Sequence, residues 1–241
     1  MSTPQLPLGL HFPAHQRLDS YYAGDNLGAV VALRAAVHEP GAPWVYLSGP
    51  EGCGKTHLLI GACQDAGPRR VQFLPLAAMG AAAETALIGI EEAALVCIDD
   101  VHMIGGNRGA EVALFDAYNR CRASGTVMLF AGRNPPGQLP LVLPDLASRL
   151  SACSRFALKP LDEAARREVL RQRAQARGFE VDDAVLDFMF RRNARDLGTL
   201  LGLLDRVDRE SLAEQRRITV PFLRRVMGLP SRIDKPREPG R

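Results

Sequence analysis

Lysine is nearly missing from this sequence: it occurs only at positions 55, 159 and 235, although lysine and arginine together number 30. Acidic residues number 27, which leaves a net charge of only +3. So balanced a chain lacks the strongly basic character of a dedicated nucleic-acid binder, and its arginine excess reads as composition rather than as a footprint. The five cysteines (Cys53, Cys63, Cys97, Cys121 and Cys153) form no C-x-x-C pair. That scatter excludes a disulfide framework and points to a reducing, cytoplasmic setting. The five histidines lack ligand spacing, so a metal site built wholly from protein side chains is not expected. No window approaches the roughly eighteen uninterrupted apolar residues of a membrane span. The N-terminus has no basic start followed by an apolar core, so no signal peptide is read there.

What the chain does have is an ordinary globular composition, 46% apolar and 24% charged. Its length suits one large domain and a smaller one. Residues 1–16 hold three prolines and no helical period, and are expected to form an extended arm. From Asn26 to Val37 the apolar positions Leu27, Val30, Val31 and Ala35 predict a helix. Short apolar runs then alternate with helical stretches. Strands are expected at 44–48, 71–74, 95–98, 126–131 and 155–158, and helices at 55–66, between 74 and 95, and at 110–122. Such alternation implies a parallel sheet covered by helices on both faces, an α/β domain over residues 17–160. After Pro160 only helical patterns follow, at 162–177, 182–192, 194–212 and 220–227. Asp162 and Asp182 are expected N-caps and Gly178 a C-cap. Residues 161–229 are thus expected to form a small helical lid, and 230–241, with three prolines and six charges, a disordered tail.

Gly49-Pro50-Glu51-Gly52-Cys53-Gly54-Lys55-Thr56 matches G-x-x-x-x-G-K-[ST] between a predicted strand and a predicted helix. The glycines Gly49, Gly52 and Gly54 let the backbone wrap phosphates, with the N–H groups of Cys53, Gly54 and their neighbours pointing inward at a helix N-terminus. Lys55 would neutralise the outer phosphates and Thr56 would offer its hydroxyl to Mg²⁺, with His57 next in the cradle. Leu95-Val96-Cys97-Ile98-Asp99-Asp100 is the second element, an apolar strand lifting two carboxylates to the sheet's carboxyl edge. Asp99 would hold Mg²⁺ and Asp100 would orient an attacking water.

With Phe115-Asp116-Ala117-Tyr118-Asn119-Arg120 in the following helix, this constellation resembles the AAA+ module of DnaA-type replication initiators. The resemblance implies further roles. Asp145-Leu146-Ala147-Ser148-Arg149-Leu150 is similar to the box that carries an arginine finger, so Arg149 would act in trans on a neighbour's nucleotide. Arg195, ahead of Leu197, would reach the phosphates from the lid. Tyr22, within Tyr21-Tyr22-Ala23-Gly24-Asp25-Asn26, would pack near adenine. One segment departs from the family pattern. Ala131-Gly132-Arg133-Asn134-Pro135-Pro136 places Arg133 where initiators carry an acid and Asn134 where they carry arginine. Asn134 would polarise a water, yet the swap puts the chain's own hydrolysis in question.

The N-terminal Gln5-Leu6-Pro7-Leu8-Gly9-Leu10 resembles the short peptides that dock on the bacterial sliding clamp, the β subunit of DNA polymerase III. Gln5 would fix register while Leu6, Leu8 and Leu10 fill an apolar groove. The lid is expected to end near Leu229, which leaves no length for the DNA-reading domain of a full initiator, so sequence-specific DNA binding is not expected. These features together resemble the regulators within the DnaA-related AAA+ family that inactivate the initiator. The resemblance implies a protein recruited to DNA-loaded clamp, where it triggers hydrolysis by ATP-bound DnaA. It further implies that ADP (or ATP) with Mg²⁺ is a structural ligand and that a dimer assembles through the finger interface. Two other readings stay open: an autonomous AAA+ ATPase serving as helicase loader or transposition helper, and an adaptor without a catalytic part.

Overall fold

The computed structural model describes residues 12–13, 16–193 and 197–229. The chain divides into two compact units at the Pro160–Leu161 junction. In the first, α1 (Leu27–His38) precedes β1 (Val45–Ser48), and α2 (Lys55–Asp65) leads to β2 (Val71–Pro75). Two single turns, α3 (Leu76–Met79) and α4 (Ala83–Ala86), lie before β3 (Leu95–Asp99). Then come α5 (Arg108–Ser124), β4 (Val127–Gly132), α6 (Pro144–Ser151) and β5 (Ser154–Ala157). The expected single helical stretch between β2 and β3 is broken because Gly80 turns the backbone to φ +51°, a conformation that ends a helix.

All strand pairings are parallel, in the order β2-β3-β4-β1-β5. The strand residues alternate between two cores, as the two-residue period of a strand requires. Val45, Leu47, Leu95, Cys97, Leu129 and Ala131 face a cluster with Leu33, Leu58 and Leu59 from α1 and α2. Tyr46, Val96, Ile98, Met128 and Phe130 face the opposite cluster, with Leu114 and Tyr118 of α5 and Leu146 and Leu150 of α6. Burial on both faces explains why these strands read as continuous apolar runs rather than as alternating ones. All five cysteines are free and buried in this unit. Burial pushes the thiols of Cys121 and Cys153 up to about 12, which leaves them unreactive at neutral pH.

Phe12 and Pro13, the inner end of the expected arm, pack on this unit. Phe12 meets Phe73 edge-on with ring centroids 6.2 Å apart, and Gln64 Nε2 donates to the Pro13 carbonyl.

The second unit contains α7 (Glu163–Gln175), α8 (Asp183–Asn193), α9 (Leu197–Glu214) and α10 (Val220–Val226). Leu170, Leu186, Phe190, Leu200, Leu204 and Leu223 form its core. Asp162 caps α7 by accepting from the Ala165 N–H at 2.7 Å, and Thr219 caps α10. Much of the arginine excess is used here. Arg177 bridges Asp205 and Asp208, while Arg167 pairs with Glu163 and Asp187 and lies over the Phe190 ring. Among the described residues no strand follows Ala157, and no helix is long and apolar enough to cross a membrane.

Candidate functional site

The parallel order places the ends of β1, β3 and β4 side by side, so three loops converge at the carboxyl edge of the sheet. From β1 comes the glycine-rich loop. Gly54 stands at φ +94°, where a Cβ would also lie 2.6 Å from the Tyr21 ring, so only glycine is accommodated. Immediately after it α2 begins, with its first N–H groups directed into the loop. Lys55 is buried, and its ammonium donates to the Gly49 and Pro50 carbonyls at 2.8 Å each. Its ammonium hydrogen-bonds only carbonyl oxygens among the described oxygen contacts, with the Asp99 carboxylate near enough to feel its charge, and such an ammonium is suited to an anion.

β3 delivers the acids. Thr56 Oγ1 donates to Asp99 Oδ2 at 2.5 Å, joining the start of α2 to the end of β3. A hydroxyl and a carboxylate side by side form the hard oxygen donor set that Mg²⁺ prefers. These residues therefore fit a phosphate chain with a divalent cation: a glycine cradle, a buried ammonium, and an oxygen pair on one side. Burial pushes the Asp99 carboxyl above its usual range, opposed by the Thr56 hydrogen bond and reinforced by the charge of Asp100. Asp100 itself occupies a left-handed backbone conformation, φ 56°, which Asp tolerates better than most residues.

The raised Asp99 pKa has a stability consequence. A carboxyl whose folded pKa lies above its unfolded one supports the fold while protonated, and that support is lost as pH rises through the folded value. Asp99→Asn is therefore expected to raise the melting temperature of the nucleotide-free protein at neutral pH. The gain should shrink as pH falls toward the ordinary carboxylate range. A thermal melt series over pH checks this, and an unchanged or lowered melting temperature at neutral pH contradicts it.

From β4 comes the loop Arg133–Asn134. The Gly49 N–H donates to the Arg133 carbonyl at 3.2 Å, and buried Tyr46 donates its hydroxyl to the Asn134 carbonyl at 2.9 Å. The Asn134 side chain is exposed beside the cradle.

The structure thus brings together Gly49, Cys53, Gly54, Lys55, Thr56, Asp99, Asp100 and Asn134, with exposed Gly52 on the same loop. His57 flanks the group, with Nε2 3.0 Å from the Arg17 carbonyl and its ring 5.5 Å from that of Tyr21. Tyr22, the aromatic expected near adenine, lies against Gly24. Its neighbour Tyr21 is the one on the loop, donating to the Cys53 carbonyl and accepting from Asn26. Burial raises the Tyr21 pKa to about 12, which keeps the phenol a neutral donor. Asn26 further clasps both the N–H and the carbonyl of Lys159. Gln5, Leu6, Leu8, Leu10 and Arg195 lie outside the described residues.

Arg149 makes its contact elsewhere. On α6, Leu146 and Leu150 are buried in the core while Arg149 is exposed, its guanidinium 5.9 Å from the Tyr118 ring centroid. Glu111, which sequence reasoning missed, fixes the start of that helix. It is completely buried, and its carboxylate accepts from the backbone N–H groups of Gly106, Val142 and Leu143 at 2.9, 3.1 and 2.7 Å. Leu143 is the residue immediately before α6, and Gly106 lies in the loop after β3. One carboxylate thus ties the loop following the Asp99–Asp100 pair to the helix bearing Arg149.

The sheet order, the glycine cradle and the paired acids define a P-loop protein of the AAA+ fold. Domain III of the Thermotoga maritima replication initiation protein DnaA shares it with a TM-score of 0.73 at 20% identity, over 90% of this chain and 97% of that one. AMPPCP-bound DnaA from Aquifex aeolicus gives 0.66 at 20% identity, over 79% and 64%. The Thermotoga maritima RuvB Holliday junction branch migration motor gives 0.64 at 19% identity, over 88% and 71%. Residues 162–227, the helical unit, match the family model described as Hda, lid domain. The helical unit thus matches the Hda lid model, and the chain shares its fold with DnaA domain III.

Proposed function

We propose that this chain is a regulator of replication initiation that inactivates DnaA. The observation that carries the reading is the Hda-type lid on an initiator-like P-loop module. In this account the cradle binds an adenine nucleotide with Mg²⁺, as the AMPPCP-bound DnaA relatives do. Such an ion would supply positive charge that neutralises the outer phosphates. Lys55 neutralises the phosphate chain, Thr56 and Asp99 hold the ion, Asp100 faces the water side, and Tyr21 braces the loop from outside. ADP serves as a structural ligand that orders the module for assembly, and two copies associate through the face bearing Arg149.

Recruitment runs through residues 5–10. Gln5 hydrogen-bonds the rim of a groove on the DNA-loaded sliding clamp while Leu6, Leu8 and Leu10 enter it. Once docked, Arg149 reaches the nucleotide of ATP-bound DnaA and stabilises charge on the transferring phosphoryl group. The protein then works in the cytoplasm at the replication machinery.

Clamp recruitment is tested by binding the full chain to clamp loaded on nicked circular DNA. Changing Gln5 and Leu6 to Ala is expected to weaken that binding by about a hundredfold, the combined loss of one polar anchor and one apolar anchor. Equal binding by the variant would rule out the peptide as the docking element. The second reading, an autonomous ATPase, draws on the intact Thr56–Asp99 pair. Turnover by the chain alone, stimulated by single-stranded DNA, is the result that would favour it.

A further inference from the structure

The helical unit carries an open cleft of about 700 Å³ where three of its helices begin or end. The α7–α8 connection, the last turn of α9 and the α9–α10 connection build it. Its wall is preformed. Gln215 ends α9 in a left-handed conformation, φ 52°. The next residue is pinned twice to Ser211: the Arg216 N–H donates to the Ser211 carbonyl, and the Ser211 hydroxyl donates to the Arg216 carbonyl. Phe179, Leu212 and Ile218 supply the apolar lining. Leu212 is 73% exposed, the one large apolar side chain of this unit left so open among the described residues. Glu180 and Asp182 stand beside that lining on one stretch of chain, and Arg216 and Arg217 on another. Arg216 has Glu214 at 3.7 Å, whereas Glu180, Asp182 and Arg217 form no ion pair among the described contacts.

The described chain leaves this unit close by. Arg225, in the last turn of α10, pairs at 2.5 Å with Glu214, the residue next to Gln215 of the cleft. Gly228 then turns at φ +66°, and the Leu229 N–H bonds back to the Arg224 carbonyl. Residues 230–241 follow, outside the described residues. Three prolines and six charges leave them too little apolar surface to fold alone. Ile233 is their one apolar side chain apart from the prolines, and Arg232 and Asp234 flank it. We infer that the cleft is the seat of this chain's own residues 232–234, with Ile233 against Phe179, Leu212 and Ile218. Four extended residues beyond Leu229 span about 13 Å. That is enough to return from the end of α10 to a wall that the Arg225 side chain already reaches. Alternate side chains of an extended segment point opposite ways, so Ile233 enters while its neighbours stay at the rim. There Arg232 meets Glu180 and Asp182, and Asp234 meets Arg217. Such exposed pairs add little affinity, so burial of Ile233 carries the docking and the rim charges set its direction.

The test is the rate at which trypsin cuts the Arg232–Ile233 bond in the full chain, relative to an isolated peptide of residues 230–241. Rapid undocking makes that ratio report the docked fraction. The full chain is expected to be cut about tenfold more slowly than the peptide, the net of one buried isoleucine against the entropy of ordering the segment. Leu212→Glu, at an exposed position that the fold does not need, should remove the protection and change cutting at Arg237–Glu238 less than about twofold. Arg217→Asp should speed cutting about twofold. Adding Asp234→Arg, with its own peptide as reference, should restore the protection, a gain that misfolding cannot mimic. Cutting of the full chain at the peptide rate overturns the inference. So does protection that survives Leu212→Glu, which places the segment elsewhere. Protection that rises with protein concentration also overturns it, because the cleft then holds a segment of a second copy.

Discussion

Arg149→Ala is expected to lower clamp-dependent ATP hydrolysis by DnaA about a thousandfold, the lower bound for loss of an arginine finger. Nucleotide binding and clamp binding should be unchanged, because Arg149 is exposed on α6 and its guanidinium contacts only the Tyr118 ring among the described contacts. That stacking is worth about 0.5–1 kcal/mol at an exposed site. A desolvated phosphoryl group offers the same guanidinium far more, so the side chain leaves Tyr118 for a partner's nucleotide at little cost. Arg149→Lys should restore little, since lysine keeps the charge but not the planar pair of donors. Single-turnover phosphate release with each variant reads the effect. Full activity in Arg149→Ala would make the protein an adaptor that brings clamp and initiator together without a chemical part.

The second large effect is expected at Glu111. Replacing it with alanine removes the acceptor of the N–H groups of half-buried Leu143 and of the exposed residues Gly106 and Val142. A donor left unsatisfied away from water costs about 1–3 kcal/mol, so Glu111→Ala should destabilise the α/β unit by about that much. Glu111→Gln should lose less, because one amide oxygen still accepts while its NH₂ faces donors. The single tryptophan, Trp44, meets the Tyr118 ring edge-on in the same core. Its fluorescence during urea unfolding therefore reports on this unit and not on the lid. An unaltered midpoint in Glu111→Ala would contradict the assignment. Because the same carboxylate fixes the start of α6, Glu111→Gln should also blunt the Arg149 effect while the protein stays folded.

Much of this architecture was legible because burial on both faces makes each strand a dense apolar run. Trp44–Ser48 and Leu95–Asp99 announce themselves this way, and the cradle between β1 and α2 carries its own spacing. Strand order was not legible. Nothing local in Val127–Gly132 says that it inserts between β1 and β3, yet that insertion is what brings Arg133 to the cradle. Tyr21 and Tyr22 are adjacent aromatics in a turn, and only the folded backbone decides which one meets Gly54. Glu111 did leave a signal. It continues the apolar stripe of Leu114, Tyr118 and Cys121 at helical spacing, and an acid on a buried face requires fixed donors. α6 carries a helix signal beside its motif, since Pro144 at its first turn marks a helix start.

The most direct measurement is phosphate release from purified ATP-bound DnaA mixed with this protein, with and without sliding clamp loaded on DNA. The account predicts a burst of hydrolysis that requires the loaded clamp and this chain together. No stimulation under any combination, with DNA-dependent turnover by this chain alone, would contradict it.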